Sequence, residues 1–310
     1  MDNSHVLVVG AAGLDTKGRA DVPLQPDTSN PGRIRIGVGG VARNVAENLA
    51  RLGEHAILLS AVGDDRSGLR IRGQALDAGV DISHLIESPG HRTCAYLAVF
   101  DQAGDLTISI DDMEVLSAIT PAVIYNRRRL IRDAAMVAMD ANLSPRAIDS
   151  LIRQAVKYQV PVSADPTSAS LTERLRPHLS DLFMVTPDLP EAAALCERAL
   201  GNTRDQGIAA AKHLVSLGVR VAIVTLAELG VCYATSEVSG HIPAVQTQVV
   251  NRTGAGDALT AGVIFGLLNN FSIDEAVRLG ASAAAMTLQY HESVCPDLSL
   301  CLLYTSDAAD

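Results

Sequence analysis

Short apolar runs alternate along the chain with longer segments whose apolar positions recur every three to four residues. Residues 6–10 read as a first buried strand, followed by a glycine turn (Gly10, Gly13) and Asp15. The spacing predicts a helix over 41–52, closed by Gly53, then a buried strand over 56–62 and a helix from Asp64 to about Gly79. Residues 94–100 and 106–110 flank Asp101-Gln102-Ala103-Gly104-Asp105, a hairpin signal. Residues 17–36, rich in turn formers with one alternating stretch, predict edge strands or a flap. Beyond these come strands over 136–140, 160–165, 182–185 and 219–225, with 231–235 as an antiparallel neighbour and 245–250 as a last strand. Helices are expected over 147–158, from about 190, over 203–217, and over 257–268 and 274–288. Strand and helix alternate with short connections, which predicts an α/β protein built on one mostly parallel, doubly wound sheet.

Composition sharpens this picture. Of 310 residues 48% are hydrophobic, yet only 3% are aromatic and none is tryptophan. The core must be aliphatic, as suits parallel strands covered on both faces. The formal charge of −10 argues against nucleic acid as a partner. No run of eighteen apolar residues is present, so no membrane helix is expected. The N-terminus lacks the basic region of a signal peptide. Five scattered cysteines without metal spacing suit a reduced, cytoplasmic protein.

The chemistry concentrates in glycine-rich turns. Thr253-Gly254-Ala255-Gly256-Asp257 precedes a small-residue helix. Free amides and the positive helix end make such a turn an anion site. An aspartate there makes sense if Asp257 takes a proton from a hydroxyl while the amides of Gly254, Ala255 and Gly256 stabilise a phosphoryl group in transfer. The plainer reading is an acidic first turn. Gly39 and Gly40 precede another helix and permit close approach of a ligand, with Asn44 able to donate to and accept from hydroxyls. Taken alone, Asn44 fits a helix cap as well, Asp15 a surface loop, Asp165 a turn before Pro166, and Glu191 a first-turn acid after Pro190.

Five segments in order resemble the ribokinase-like, phosphofructokinase-B type carbohydrate kinases over almost the whole chain: Gly10 to Asp15, Gly39-Gly40 with Asn44, Asp188-Leu189-Pro190-Glu191, Thr225 to Gly230, and Gly254-Ala255-Gly256-Asp257. The resemblance implies a three-layer α/β/α fold as a single domain over 1–300, with a small β lid from about 17–36 and 92–111. It implies transfer of a phosphoryl group from ATP with Mg2+, a monovalent cation being a further candidate. Asp257 would be the base, with Gly254, Ala255 and Gly256 as the anion hole. Asp15, Gly39, Gly40, Asn44 and Asp165 would bind substrate, Asp188, Thr225, Gly230 and Thr253 the nucleotide, and Glu191 the metal. The expected partners are a small sugar or nucleoside and, through the lid, a second copy of the chain.

The local wording (Gly40 to Leu49, Asp111-Asp112-Met113, Asp165-Pro166-Thr167-Ser168, Asn251) is similar to the pseudouridine branch of that family. This implies phosphorylation of a ribose 5′-hydroxyl. Ribose, another sugar, an ordinary nucleoside, or sugar binding with weak catalysis are the alternatives. Three departures bear on activity: Asp188 stands where asparagine is usual, Ala227 replaces a turn glycine, and Leu171 occupies a place where a lysine is common. Residues 301–310 do not continue the pattern and read as a non-native tail.

Overall fold

The computed structural model describes residues 4–301. Its strands are β1 (His5–Val9), β2 (Gly13–Ala20), β3 (Gly32–Gly39), β4 (Ala56–Leu59), β5 (Ala61–Gly63), β6 (Ile86–Ser88), β7 (Cys94–Phe100), β8 (Leu106–Asp112), β9 (Ala134–Asp140), β10 (Val162–Asp165), β11 (Met184–Val185), β12 (Val221–Thr225), β13 (Val231–Ala234) and β14 (Ser239–Ile242). An eight-stranded sheet runs β14-β13-β12-β11-β10-β9-β1-β4. From β4 to β12 all pairings are parallel, and β13 and β14 add antiparallel edge strands.

Alternation along β1 explains the layers. Leu7 and Val9 join one hydrophobic core and Val6 and Val8 the other. Every strand residue is thus buried on one face or the other, which is why β1 reads as an unbroken apolar run. Helices Pro145–Tyr158, Leu189–Leu195 and Arg204–Ser216 cover the first face. Helices Val41–Arg51, Arg66–Asp77, Ala255–Leu268 and Ile273–Thr287 cover the second. The last two helices approach at backbone distance. A Cβ on Gly262 would lie 2.7 Å from the Gly280 Cα, so glycine is required where they cross.

A separate four-stranded sheet, β3-β2-β7-β8, stands off the main one. It occupies the segments expected to form a lid but begins earlier, at Gly13. Asp15 therefore lies inside β2, not in a turn at a strand end as the sequence suggested. Pairing of Gly13 with both Gly39 and Cys94 extends the strand, and neither partner is local in sequence.

A second expectation fails at 245–250, which forms no strand. β14 has already taken the edge beside β13, and Val245, Val249 and Val250 stay exposed. The suspected non-native tail lies outside the described residues except for its first residue, Cys301, which is exposed.

Candidate active site

Parallel strands end where the glycine turns begin. β9 and β10 finish side by side on Asp140 and Asp165. The turn after β1 starts at Gly10, where any Cβ would collide with the Asp140 carboxylate at 2.1 Å. Asp140 is fully buried and accepts four hydrogen bonds: from the amides of Ala11 (2.7 Å), Ala42 (3.1 Å) and Asn142 (3.0 Å), and from the Asn142 side chain (2.9 Å). One carboxylate thus ties the first glycine turn to the start of the helix Val41–Arg51. Gly40 enters that helix at φ 95°, where a Cβ would collide with the backbone of Ala11 and Ala12. Sequence reading missed Asp140, two of whose partners, Ala42 and Ala11, are 98 and 129 residues away.

This scaffold presents Asn44 to Asp257. The Asn44 amide donates to an Asp257 carboxylate oxygen at 2.7 Å, both groups being buried. Arg43 in turn donates to the Asn44 side-chain oxygen Oδ1 at 2.9 Å and pairs with Glu47. Burial pushes the Asp257 carboxyl up to about 7, and the charges of Asp140 and Asp15 push the same way, against the Asn44 hydrogen bond and Arg43. A carboxylate poised near neutrality suits proton transfer. Asp257 occupies the first turn of the helix Ala255–Leu268, which Gly254 opens at φ 86°. A Cβ on Gly254 would lie 1.8 Å from the Ser293 carbonyl, while one on Gly256 would meet nothing within 4 Å. The turn is therefore wedged on one side and open on the other.

Asp15 joins the group from the small sheet. It is buried, packs over Gly39, and accepts a hydrogen bond from the Ser293 hydroxyl at 3.3 Å. Burial raises its pKa, opposed by Lys17, Ser293 and Arg43. The Lys17 ammonium lies 3.9 Å from Asp15 and 3.4 Å from the Asn251 side-chain oxygen. Asn251 also donates to the His291 carbonyl at 2.9 Å and accepts from the Thr253 amide at 3.2 Å, bracing the approach to the anion turn.

Beside these residues opens a cavity of about 660 Å³. Asp165, Asp188, Glu191, Ala255 and Gly256 line it together with Thr225, Ala227, Gly230, Ala281 and Ala285, and Asp188 and Thr225 are bridged side by side. Asp165, Asp188, Glu191, Thr225, Gly230, Ala255 and Gly256 of the sequence-predicted set line this cavity. Asp257 and Asn44 pair beside it with Asp15 close by, and Thr253 belongs to neither, its amide donating to Asn251.

Asp188 and Glu191 form a capping box: each carboxylate accepts the other's backbone N–H at 2.8 Å. Asparagine at position 188 would cap equally well, so the departure preserves the helix start. Burial and the neighbouring Asp188 push Glu191 up to about 7. Burial, then Glu191 and Asp257, hold Asp165 well above the usual carboxylate range. Ala227 adopts φ 49°, the conformation expected of the glycine it replaces, so the turn is kept at the expense of local strain.

The fold and this site define an ATP-dependent kinase of sugars or nucleosides. The chain belongs to the pfkB family of carbohydrate kinases, which matches residues 3–298. It is 33% identical to the pseudouridine kinase of Escherichia coli (strain K12), over 96% of this chain and 95% of that protein. It is 30% identical to the guanosine-inosine kinase of Exiguobacterium acetylicum, over 94% and 96% of the two chains. The structure of Arabidopsis thaliana ribokinase complexed with ribose and ATP superimposes with a TM-score of 0.82 at 21% identity, over 97% of this chain and 98% of that one, and shows the same fold.

Proposed function

We propose that this kinase transfers the γ-phosphoryl group of ATP to the 5′-hydroxyl of a ribose-containing nucleoside, with pseudouridine as the preferred acceptor. One observation carries the reading: a buried carboxylate raised to about 7, Asp257, is held by Asn44 at 2.7 Å in the first turn of a glycine-capped helix. Asp257 takes the hydroxyl proton as the oxygen attacks phosphorus and the bond to the β,γ-bridging oxygen breaks. The amides of Gly254, Ala255 and Gly256 stabilise the charge of the group in flight. Asp15, Gly39, Gly40 and Asn44 grip the sugar hydroxyls, with Asp165 below. Thr225 and Gly230 frame the adenine end of the cavity. Gly230 has φ 95° and would collide with the Ile242 carbonyl if it carried a Cβ.

Magnesium, when bound, would neutralise phosphate charge, and Glu191 with Asp188 would hold it through water. The hard oxygen donors of that pair fit the ion. Among the described residues no three His, Cys, Asp or Glu gather into a metal cage. The 33% identity to a pseudouridine kinase supports the nucleoside, and the 30% identity to a guanosine-inosine kinase supports the base-bearing class more broadly.

A second copy of the chain is the partner. The outward face of the small sheet sets Ile36, Leu97 and Ile110 in one row and Ile34 and Ile108 in the next, all exposed. Such a face favours burial against its own twin. Cys94, Cys196, Cys232 and Cys295 are buried free thiols, and among the described residues no helix is long and apolar enough to cross a membrane; both suit a cytoplasmic enzyme.

The test is ATP consumption with magnesium against pseudouridine, uridine, inosine, adenosine, ribose and fructose 6-phosphate. Pseudouridine should give the highest kcat/KM, and Asp257→Asn should remove about 10²-fold or more of the rate. A better turnover of ribose would discard the nucleoside reading. Retained activity in the variant would discard the base.

A further inference from the structure

Lys17 is not one of the residues to which this proposal gives a task, yet it sits on the same face of β2 as Asp15. The strand period of two puts both side chains toward the site, and about 7 Å of strand separates their Cα atoms. Across the sheet, Lys17 stands in register with Ala98 of β7 and Arg35 of β3. Its side chain is largely buried, at 17% exposure. Burial lowers its pKa, against the pull of Asp15.

A buried ammonium normally saturates its three N–H donors. This one does not. Its only hydrogen bond among the described residues is the 3.4 Å contact to Asn251, whose oxygen already accepts from the Thr253 amide. Its ion pair with Asp15, at 3.9 Å, is beyond hydrogen-bond length. The ammonium is thus steered toward the cleft by two loose contacts and keeps donors free. Asn251 and Ser293 come from the other wall of the cleft, so Lys17 and Asp15 both face the space between the small sheet and the anion turn.

We infer that Lys17 is a specificity-determining residue: it donates hydrogen bonds to an oxo group on the base of the substrate and so selects an oxo-substituted nucleoside over the free sugar. The inference rests on the proposed function, in which Asp15 holds the sugar hydroxyls. A furanose held there, with its 5′-hydroxyl at Asp257, leaves the anomeric substituent as the part able to extend along the strand. A lysine donates and never accepts, so the matching atom is an acceptor. Pyrimidine-2,4-diones and 6-oxopurines carry such carbonyls. A free sugar offers the lysine nothing at that distance.

The experiment compares kcat and KM for pseudouridine, inosine and ribose in the wild-type enzyme, in Lys17→Met, which keeps the length without the charge, and in Lys17→Arg. Calorimetric titration of each acceptor into each protein reads the same preference independently of turnover. The ratio of pseudouridine to ribose kcat/KM should fall about tenfold or more in Lys17→Met, chiefly through KM, with partial recovery in Lys17→Arg. A parallel loss on both acceptors, leaving the ratio unchanged, would overturn the inference and make Lys17 a positioning residue for Asp15. A wild-type enzyme that takes or binds ribose and no nucleoside would overturn the substrate reading and this inference together.

Discussion

Replacing Asn44 by leucine should move the acid limb of the pH–rate profile, and the structure sets the size of the move. The 2.7 Å hydrogen bond from Asn44 stabilises the ionised form of Asp257. A hydrogen bond to a charged group contributes about 1.5–3 kcal/mol, and one pKa unit corresponds to about 1.4 kcal/mol. Losing the donor therefore raises Asp257 by about 1–2 units, from about 7 to roughly 8–9. In the proposed mechanism the carboxylate is the working form of the base. Activity falls as the pH drops through its pKa, so the variant should lose its rate at a higher pH than the wild type. At pH 7 about half of the wild-type carboxyl is ionised, against roughly 1–10% in the variant, an ionisation loss of about 5- to 50-fold that closes as the pH approaches 10 and leaves only the pH-independent loss of the Asn44 contact to the sugar. The assay is kcat/KM for pseudouridine from pH 5.5 to 10, because that parameter reports the free enzyme. A variant with a uniformly lower rate and an unmoved acid limb would refute the reasoning: Asn44 would then act on the sugar alone, or Asp257 would not be the titrating base.

Two further outcomes follow from the geometry. Ala227→Gly should leave stability unchanged or raise it by up to about 1 kcal/mol in urea unfolding, because relief of a left-handed alanine, worth about 1–2 kcal/mol, is partly offset by the chain entropy of glycine; a loss above about 1 kcal/mol would mean that the exposed Ala227 methyl packs against something after all. The double change Ile36→Asp with Ile110→Asp should halve the mass measured by light scattering while the far-ultraviolet circular dichroism stays native, and a wild-type monomer, or a variant still dimeric, would remove the small sheet as the interface.

The elements were legible in the sequence because their signals are local. Glycine at position 53 and the hairpin around Asp101–Asp105 each act within a few residues and lie where the pattern put them, and the helix expected from Asp64 starts at Arg66, capped by Asp65. The strand expected over 245–250 failed for a nonlocal reason: whether a valine-rich run becomes a strand depends on a free sheet edge, and β14 had taken it. The same limit governs the site. Asp257 and Asn44 could be singled out because glycines announce them, but their pairing spans 213 residues. Asp140, Lys17 and Ser293 carry no local mark, and their contacts reach across 129, 234 and 278 residues. The capping box at Asp188 and Glu191 is the converse case. It was readable as a helix start, and only the cavity beside it gives those carboxylates a second use.

The balance of charge in the cleft narrows the acceptor further. Asp15, Asp140, Asp165, Glu191 and Asp257 gather there, and burial raises the pKa of every one. The cations that act most on Asp15 and Asp257 are Lys17 and Arg43, and Arg43 is already paired with Glu47. An acceptor carrying its own phosphate would bring about two more negative charges into this group. Like charges a few ångströms apart in a water-poor cleft repel by several kcal/mol, and a single lysine held at 3.9 Å from Asp15 does not offset that. A neutral sugar or nucleoside adds no such repulsion and offers hydroxyls to the carboxylates. In the proposed function the nucleotide's phosphates are the charge for which the helix amides are reserved, at the turn where Gly256 leaves the backbone open. The repulsion falls on a charged acceptor and spares a neutral polyol, so fructose 6-phosphate should be the poorest acceptor of those tested.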